Sequence, residues 1–157
     1  MVTHQPGAGA AVGGGDVVVV GVDGSDAGAR AAHFAGRHVK DRGDQLLVAY
    51  VVPWSPYSLQ SAEENEQRRV TKQQETARAW ELIVDPLVSG LADDGVKAEG
   101  MVRHGHPAET LCEIAAERTA AHLVVGRRGQ SRVRTLLFGS TPGNLIQIAT
   151  VPVTVVP

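Results

Sequence analysis

Apolar and polar positions along the chain switch between a strand-like and a helix-like pattern. Residues 16–23 read DVVVVGVD, a nearly continuous β-branched run of the kind found in strands buried on both faces of a parallel sheet. Ser25 or Asp26 then caps a helix in which Ala29, Ala32, His33, Gly36 and Val39 recur at helical spacing. That helix closes near Gly43, with Lys40 and Arg42 in its last turn. Residues 45–52 (QLLVAYVV) form the next strand, stopped by Pro53. A loop with Trp54, Pro56 and Tyr57 leads into residues 61–91, a polar stretch with Val70, Ala77, Trp80, Ile83, Val84 and Leu87 at helical spacing. It is predicted as helix, kinked or broken around Pro86. Residues 96–102 alternate weakly and give a third strand, and Pro107 opens a helix through Arg118 as an N1 proline would. Residues 122–126 and 151–156 supply strands four and five, separated by a loop and a short helix over 143–149.

The order β-α-β-α-β-α-β-loop-α-β predicts a doubly wound α/β domain: a five-stranded parallel sheet with helices on both faces, Rossmann-like in architecture. Ligands of such sheets bind beyond the carboxyl ends of the strands, where strand order reverses. In a 3-2-1-4-5 order, Asp23 and the loop over 126–141 face one crevice.

Composition narrows the function classes. The 157 residues suit one domain over 16–157, preceded by a flexible Gly/Ala-rich tail over 1–15 (MVTHQPGAGAAVGGG). A net charge of −2 and 4% aromatic residues argue against nucleic acid as a partner, and the charge also argues against an anionic membrane surface. Cys112, the single cysteine, reads as a buried thiol on a helix face with Ala108, Leu111, Ala115 and Ala116. No apolar run reaches the roughly 18 residues of a membrane helix, and the first 15 residues lack a signal core, which predicts a cytoplasmic protein.

The candidate chemistry lies in Gly126-Arg127-Arg128-Gly129, followed after nine residues by Gly139-Ser140-Thr141-Pro142. Glycines let backbone approach a bulky anion, and the free amides of a helix start point at it. Thr141 reads as N-cap with Pro142 at N1, leaving the amides of Ser140, Thr141 and Gly143 for phosphate oxygens. The helix dipole adds about 0.3–1 kcal/mol for an anion there, and Arg127, Arg128, Arg132 and Arg134 add positive charge. Val22 and Asp23 end the first strand; the carboxylate suits a ribose hydroxyl or a metal-bound water, or else caps the first helix. Val51, at the end of strand two, is placed to meet adenine or simply to fill the core. His104 and His106 share a face without an acidic or cysteine partner at ligand spacing, so they read as surface residues, and no metal site is predicted. Trp54 and Tyr57 either close over the nucleotide or, as expected, pack against the long helix.

Residues 16–25 (DVVVVGVDGS), the segment Gly105-His106-Pro107-Ala108-Glu109, and residues 122–157 with their G-x2-G-x9-G-[ST] loop resemble a universal stress protein of the single-domain, ATP-binding type. The resemblance spans nearly all of residues 16–157. It implies that Asp23 meets the ribose and Val51 the adenine, while Val125, Gly126, Gly129, Gly139, Ser140 and Thr141 meet ribose and phosphates. It also implies a homodimer through the last strand. Three positions depart from the family pattern: His122 and His106, where Asp is common, and Pro142, where a second hydroxyl often contacts phosphate. Independently, a terminal strand with Val151, Val153, Val155 and Val156 leaves an apolar sheet edge that self-pairing would cover.

Enzyme classes find little support. The chain has no G-x4-G-K-[ST] loop, the turn after strand one is not G-x-G-x-x-G, and no spacing suggests a Ser/His/Asp set. No residue is an evident base for an attacking water, so slow ATP hydrolysis with magnesium on Asp23 is the upper limit. The preferred reading is a dimeric regulatory protein in which ATP, with or without Mg2+, orders the glycine loop and alters the surface shown to an unknown protein partner. Two alternatives stand beside it: an interaction or chaperone-like module without nucleotide, and a sensor of AMP or cyclic AMP at the same site.

Overall fold

A computed structural model describes residues 15–53, 62–129 and 140–157. The predicted tail through residue 14, and Trp54, Pro56, Tyr57, Arg132, Arg134 and Gly139, lie outside the described residues. Five parallel strands, β1 (Val17–Val22), β2 (Gln45–Pro53), β3 (Ala98–Gly105), β4 (His122–Gly126) and β5 (Val153–Val156), form one sheet in the order β3-β2-β1-β4-β5. This is the predicted doubly wound order. Because β1 is central, its valines are divided between two cores. Val19 joins Leu47, Ala49, Val51, Leu123 and Val125 beneath α4 (Pro107–Glu117) and α5 (Ser140–Ile148). Val20 and Val22 join Leu46, Val48 and Val124 beneath α1 (Asp26–Arg42) and α3 (Asp85–Asp93). Burial of each such valine or leucine is worth about 1.5–3 kcal/mol, so the two layers clamp the sheet from both sides.

Ser25 is the N-cap of α1, its hydroxyl accepting from the Gly28 amide at 3.1 Å, and Gly43 closes the helix in the left-handed region at φ 72°. The buried face is a stripe of small residues, Ala27, Gly28, Ala31, Ala32, Ala35, Gly36 and Val39, which lets the helix lie close to the sheet. His33, expected on that face, is exposed. Periodicity from Ala29 and Ala32 alone cannot separate positions at the border of a narrow apolar stripe.

The long helical stretch is not broken at Pro86. α2 (Ala62–Ala79) passes through a π-helical turn, Trp80–Val84, into α3, with the Asp85 amide bonded to the Trp80 carbonyl. Proline has no N–H for the carbonyl four residues back and its ring crowds that carbonyl, and a widened turn just upstream relieves both. Trp80 and Val84 consequently pack over Gly100 of β3.

Candidate functional site

Three strand ends and two helix starts meet at one edge of the sheet. β1 delivers Val22 and Asp23, β2 ends with Val51 and Pro53, and β4 ends with Val125 and Gly126, followed by Arg128 and Gly129. α4 begins at Pro107 and α5 at Ser140, and these residues together line a crevice of about 240 Å3. Of the residues predicted for the site, Val22, Asp23, Val51, Val125, Gly126, Gly129, Ser140 and Thr141 are brought together there. Arg127 is not: its exposed side chain leaves the lining, and its amide donates to the Val156 carbonyl, extending the β4–β5 ladder. Arg128 takes its place in the wall. Alternation past a strand end decides which of two adjacent arginines faces inward, and the strand's last paired residue is not legible in Gly-Arg-Arg-Gly.

The Asp23 carboxylate is held by its neighbours. Gly24, at φ 78°, turns the chain so that the Ser25 amide donates to Asp23 Oδ1 at 3.0 Å and the Ser25 hydroxyl donates to the same oxygen. Asp23 thus positions the residue that caps α1 and does not itself cap the helix. Its Oδ2 faces Gly129, where a Cβ would lie 2.1 Å from that oxygen. Gly126 has a different constraint: a Cβ there would meet the Ala27 backbone at 2.7–2.8 Å, so its lack of a side chain lets the first turn of α1 sit against β4.

The crevice has two chemically distinct walls. Ala49, Val51, Leu111 and Val125 make an apolar side suited to a flat heteroaromatic ring. Opposite, Asp23 supplies a hydroxyl-accepting carboxylate, Arg128 a positive charge, and Ser140 and Thr141 of α5 their hydroxyls and backbone. Sequence reasoning missed Ala49 and Leu111, which read only as core. It also missed Tyr50, which lines the crevice and whose phenol is pushed up in pKa by burial and then by the carboxylates of Asp23 and Glu75.

α5 is described from Ser140, three residues before the predicted Gly143, so Thr141 lies inside the helix and is not its N-cap, and Pro142 is not at N1. Pro142 is buried, which explains why hydrophobic contact outweighs a hydroxyl there.

The remaining histidines separate. His104 is largely buried, with Nε2 3.3 Å from Glu75 Oε2 on α2, an acidic partner 29 residues distant in sequence and so invisible to local spacing. His106 is exposed at the start of α4. His122 bonds Thr154 Oγ1 at 2.7 Å at the opposite end of the sheet, and burial, then His38 and Arg42, lower its pKa. Among the described residues no group of three or more His, Cys, Asp or Glu could hold a metal. Cys112 is half-buried against the α4–α5 core, and burial raises its pKa. No helix among the described residues is long and apolar enough to cross a membrane.

A Mycobacterium tuberculosis universal stress protein is 31% identical over 156 residues, covering 89% of this chain and 47% of the relative. The chain therefore spans about half the length of the first curated relatives it matches. The universal stress protein UspA from Lactobacillus plantarum superposes with a TM-score of 0.78 at 22% identity, covering 90% of this chain and 97% of that one. A universal stress protein solved in complex with cAMP superposes with a TM-score of 0.59 at 26% identity, covering 90% and 96%. The sequence model of the Universal stress protein family matches residues 16–157, and the chain belongs to that family.

Proposed function

We propose that this chain is an adenine-nucleotide-binding regulatory protein that takes ATP in the crevice and, in the ATP-bound state, presents an altered surface to a protein partner. The observation that carries the reading is the meeting of Asp23, the apolar Val51–Leu111 wall and the start of α5 at one switch point of the sheet. The base lies against Val51 and Leu111, the ribose hydroxyls donate to Asp23, whose carboxylate the lack of a side chain at Gly129 leaves in place, and the phosphates take the amides and hydroxyls of Ser140 and Thr141. Of the two adjacent arginines expected to add positive charge, Arg128 is the one that lines the crevice. Asp23 would hold a magnesium ion, which would offset phosphate charge, and among the described lining residues Asp23 is the only carboxylate, which supports binding of ATP over its efficient turnover.

The protomers pair through β5. This strand is the edge of the sheet, and Val153 and Val155 are only half-buried along it. A second reading, a cyclic AMP sensor on the same contacts, is favoured by the relative solved with cAMP.

Thermal unfolding with ATP, ADP, AMP, cyclic AMP and GTP, with and without magnesium, tests both. A ligand at 100 times its dissociation constant adds about 2.7 kcal/mol, a rise of roughly 5–10 °C for a chain of this size. A rise with ATP and none with GTP is expected. A larger rise with cyclic AMP moves the assignment to the sensor, and no rise with any nucleotide leaves an interaction module.

A further inference from the structure

Among the crevice-lining residues, Tyr50 carries a hydroxyl that none of the assigned nucleotide contacts uses. Its position follows from β2. Alternation turns Val51 into the core beneath α4 and Tyr50 toward the core beneath α1, so these neighbours flank the end of the same strand. The β1–β2 register sets Tyr50 opposite Val22, the residue before Asp23. Tyr50 is half-buried, and its phenol lies in the field of the Asp23 carboxylate and of Glu75 on α2. Burial first, and then those two charges, raise its pKa, so the hydroxyl keeps its proton at neutral pH and is able both to donate and to accept.

The bonding of Asp23 gives that hydroxyl a task. Oδ1 already accepts from the Ser25 amide and the Ser25 hydroxyl, so a ribose hydroxyl donating to Asp23 meets Oδ2, the oxygen beside Gly129. A ribose presents two vicinal hydroxyls, and the second needs a partner of its own. The 2′-hydroxyl is on the carbon next to the one that bears the base, and Tyr50 is the chain neighbour of Val51, against which the base is placed. The 3′-hydroxyl, farther from the base, falls to Asp23.

We infer that Tyr50, set beside Asp23 at the end of β2, reads the 2′-hydroxyl, and that the crevice thereby selects ribonucleotides over 2′-deoxyribonucleotides. The inference rests on the adenine-nucleotide reading of the crevice. A 2′-deoxy ligand turns a C–H toward the half-buried phenol and leaves that hydrogen bond unmade.

Isothermal titration of the full chain with ATP, 2′-deoxy-ATP and 3′-deoxy-ATP tests it. The wild-type protein is expected to bind ATP roughly 3- to 10-fold tighter than 2′-deoxy-ATP, the worth of one neutral hydrogen bond. Tyr50→Phe keeps the ring and removes the hydroxyl, so its ATP to 2′-deoxy-ATP ratio falls to about 1 while its preference for ATP over 3′-deoxy-ATP persists. Three results overturn the inference and leave the adenosine site standing: equal wild-type affinities for ATP and 2′-deoxy-ATP, a 2′ preference that survives in Tyr50→Phe, or loss of the 3′ preference in its place. Binding of none of the three nucleotides overturns the site and the inference together.

Discussion

Gly129 faces the carboxylate that the nucleotide reading assigns to the ribose, and Gly129→Ala separates that role from a structural one. The added Cβ would stand 2.1 Å from Asp23 Oδ2, against the 3.4 Å at which ordinary contact begins, so the carboxylate must retreat by more than an ångström. Among the described residues the obstacle is the end of one side chain, with no backbone in the way. Rotation of Asp23 stretches or breaks its bonds from the Ser25 amide and hydroxyl. Two such bonds are worth about 0.5–1.5 kcal/mol each, giving about 1–3 kcal/mol of destabilisation. With an unfolding entropy of about 2.1 cal/mol/K per residue, each kcal/mol lowers Tm by about 3 °C, so a fall of roughly 3–9 °C is expected. Nucleotide affinity falls further, because a charge-assisted bond to the ribose is worth about 1.5–3 kcal/mol, or about 10- to 150-fold in Kd. Titration calorimetry with ATP measures that loss. Since the variant acts through Asp23, the double variant with Asp23→Ala should bind no more weakly than Asp23→Ala alone. Wild-type ATP affinity in Gly129→Ala, with the lowered Tm confirming that Asp23 has moved, refutes the role of this carboxylate.

Gly126→Ala should behave differently, because its Cβ meets the Ala27 backbone and forces α1 away from β4; a loss of about 1–3 kcal/mol in denaturant unfolding is expected, and an unchanged midpoint would show that the helix yields freely. His122 is held neutral by burial and by His38 and Arg42, its folded pKa lying below the ordinary 6.5. The unfolded chain therefore takes up the proton first, so the stabilisation is full above pH 6.5 and declines as pH falls from there toward the folded pKa. His122→Gln should flatten Tm between neutral and mildly acidic pH, and identical profiles for the two proteins count against this group. The Leu123 amide donates to the Pro152 carbonyl and Leu123 pairs with Val153, so in a parallel ladder Val153 turns its own N–H to the open edge. Val153→Pro should then keep the β4 pairing and yield a folded monomer in sedimentation, whereas a folded dimer would place the interface elsewhere.

The elements read correctly from sequence are those whose signal is local. The run Val17 to Val20 declares a central strand because nothing but burial on both faces explains four successive β-branched residues. Ser25, Gly43 and Pro107 mark helix ends because each answers a backbone demand at its own position: an orphan amide, a left-handed turn, a missing donor. The crevice was legible in part: strand ends are local, whereas the order β3-β2-β1-β4-β5 was an expectation that the sequence alone does not fix. What escaped depends on partners distant in the chain. Gly126 reads as a phosphate glycine until Ala27, nearly a hundred residues earlier, fills the space beside it. Glu75 reaches His104 only because α2 crosses β3, and Thr154 reaches His122 only because β5 lies beside β4. The glycine motif thus carries two demands at once, with Gly126 set by helix packing and Gly129 by the Asp23 carboxylate. A sequence pattern that merges them into one phosphate loop predicts one phenotype for both substitutions. The geometry predicts two: a stability defect for Gly126→Ala and a binding defect for Gly129→Ala.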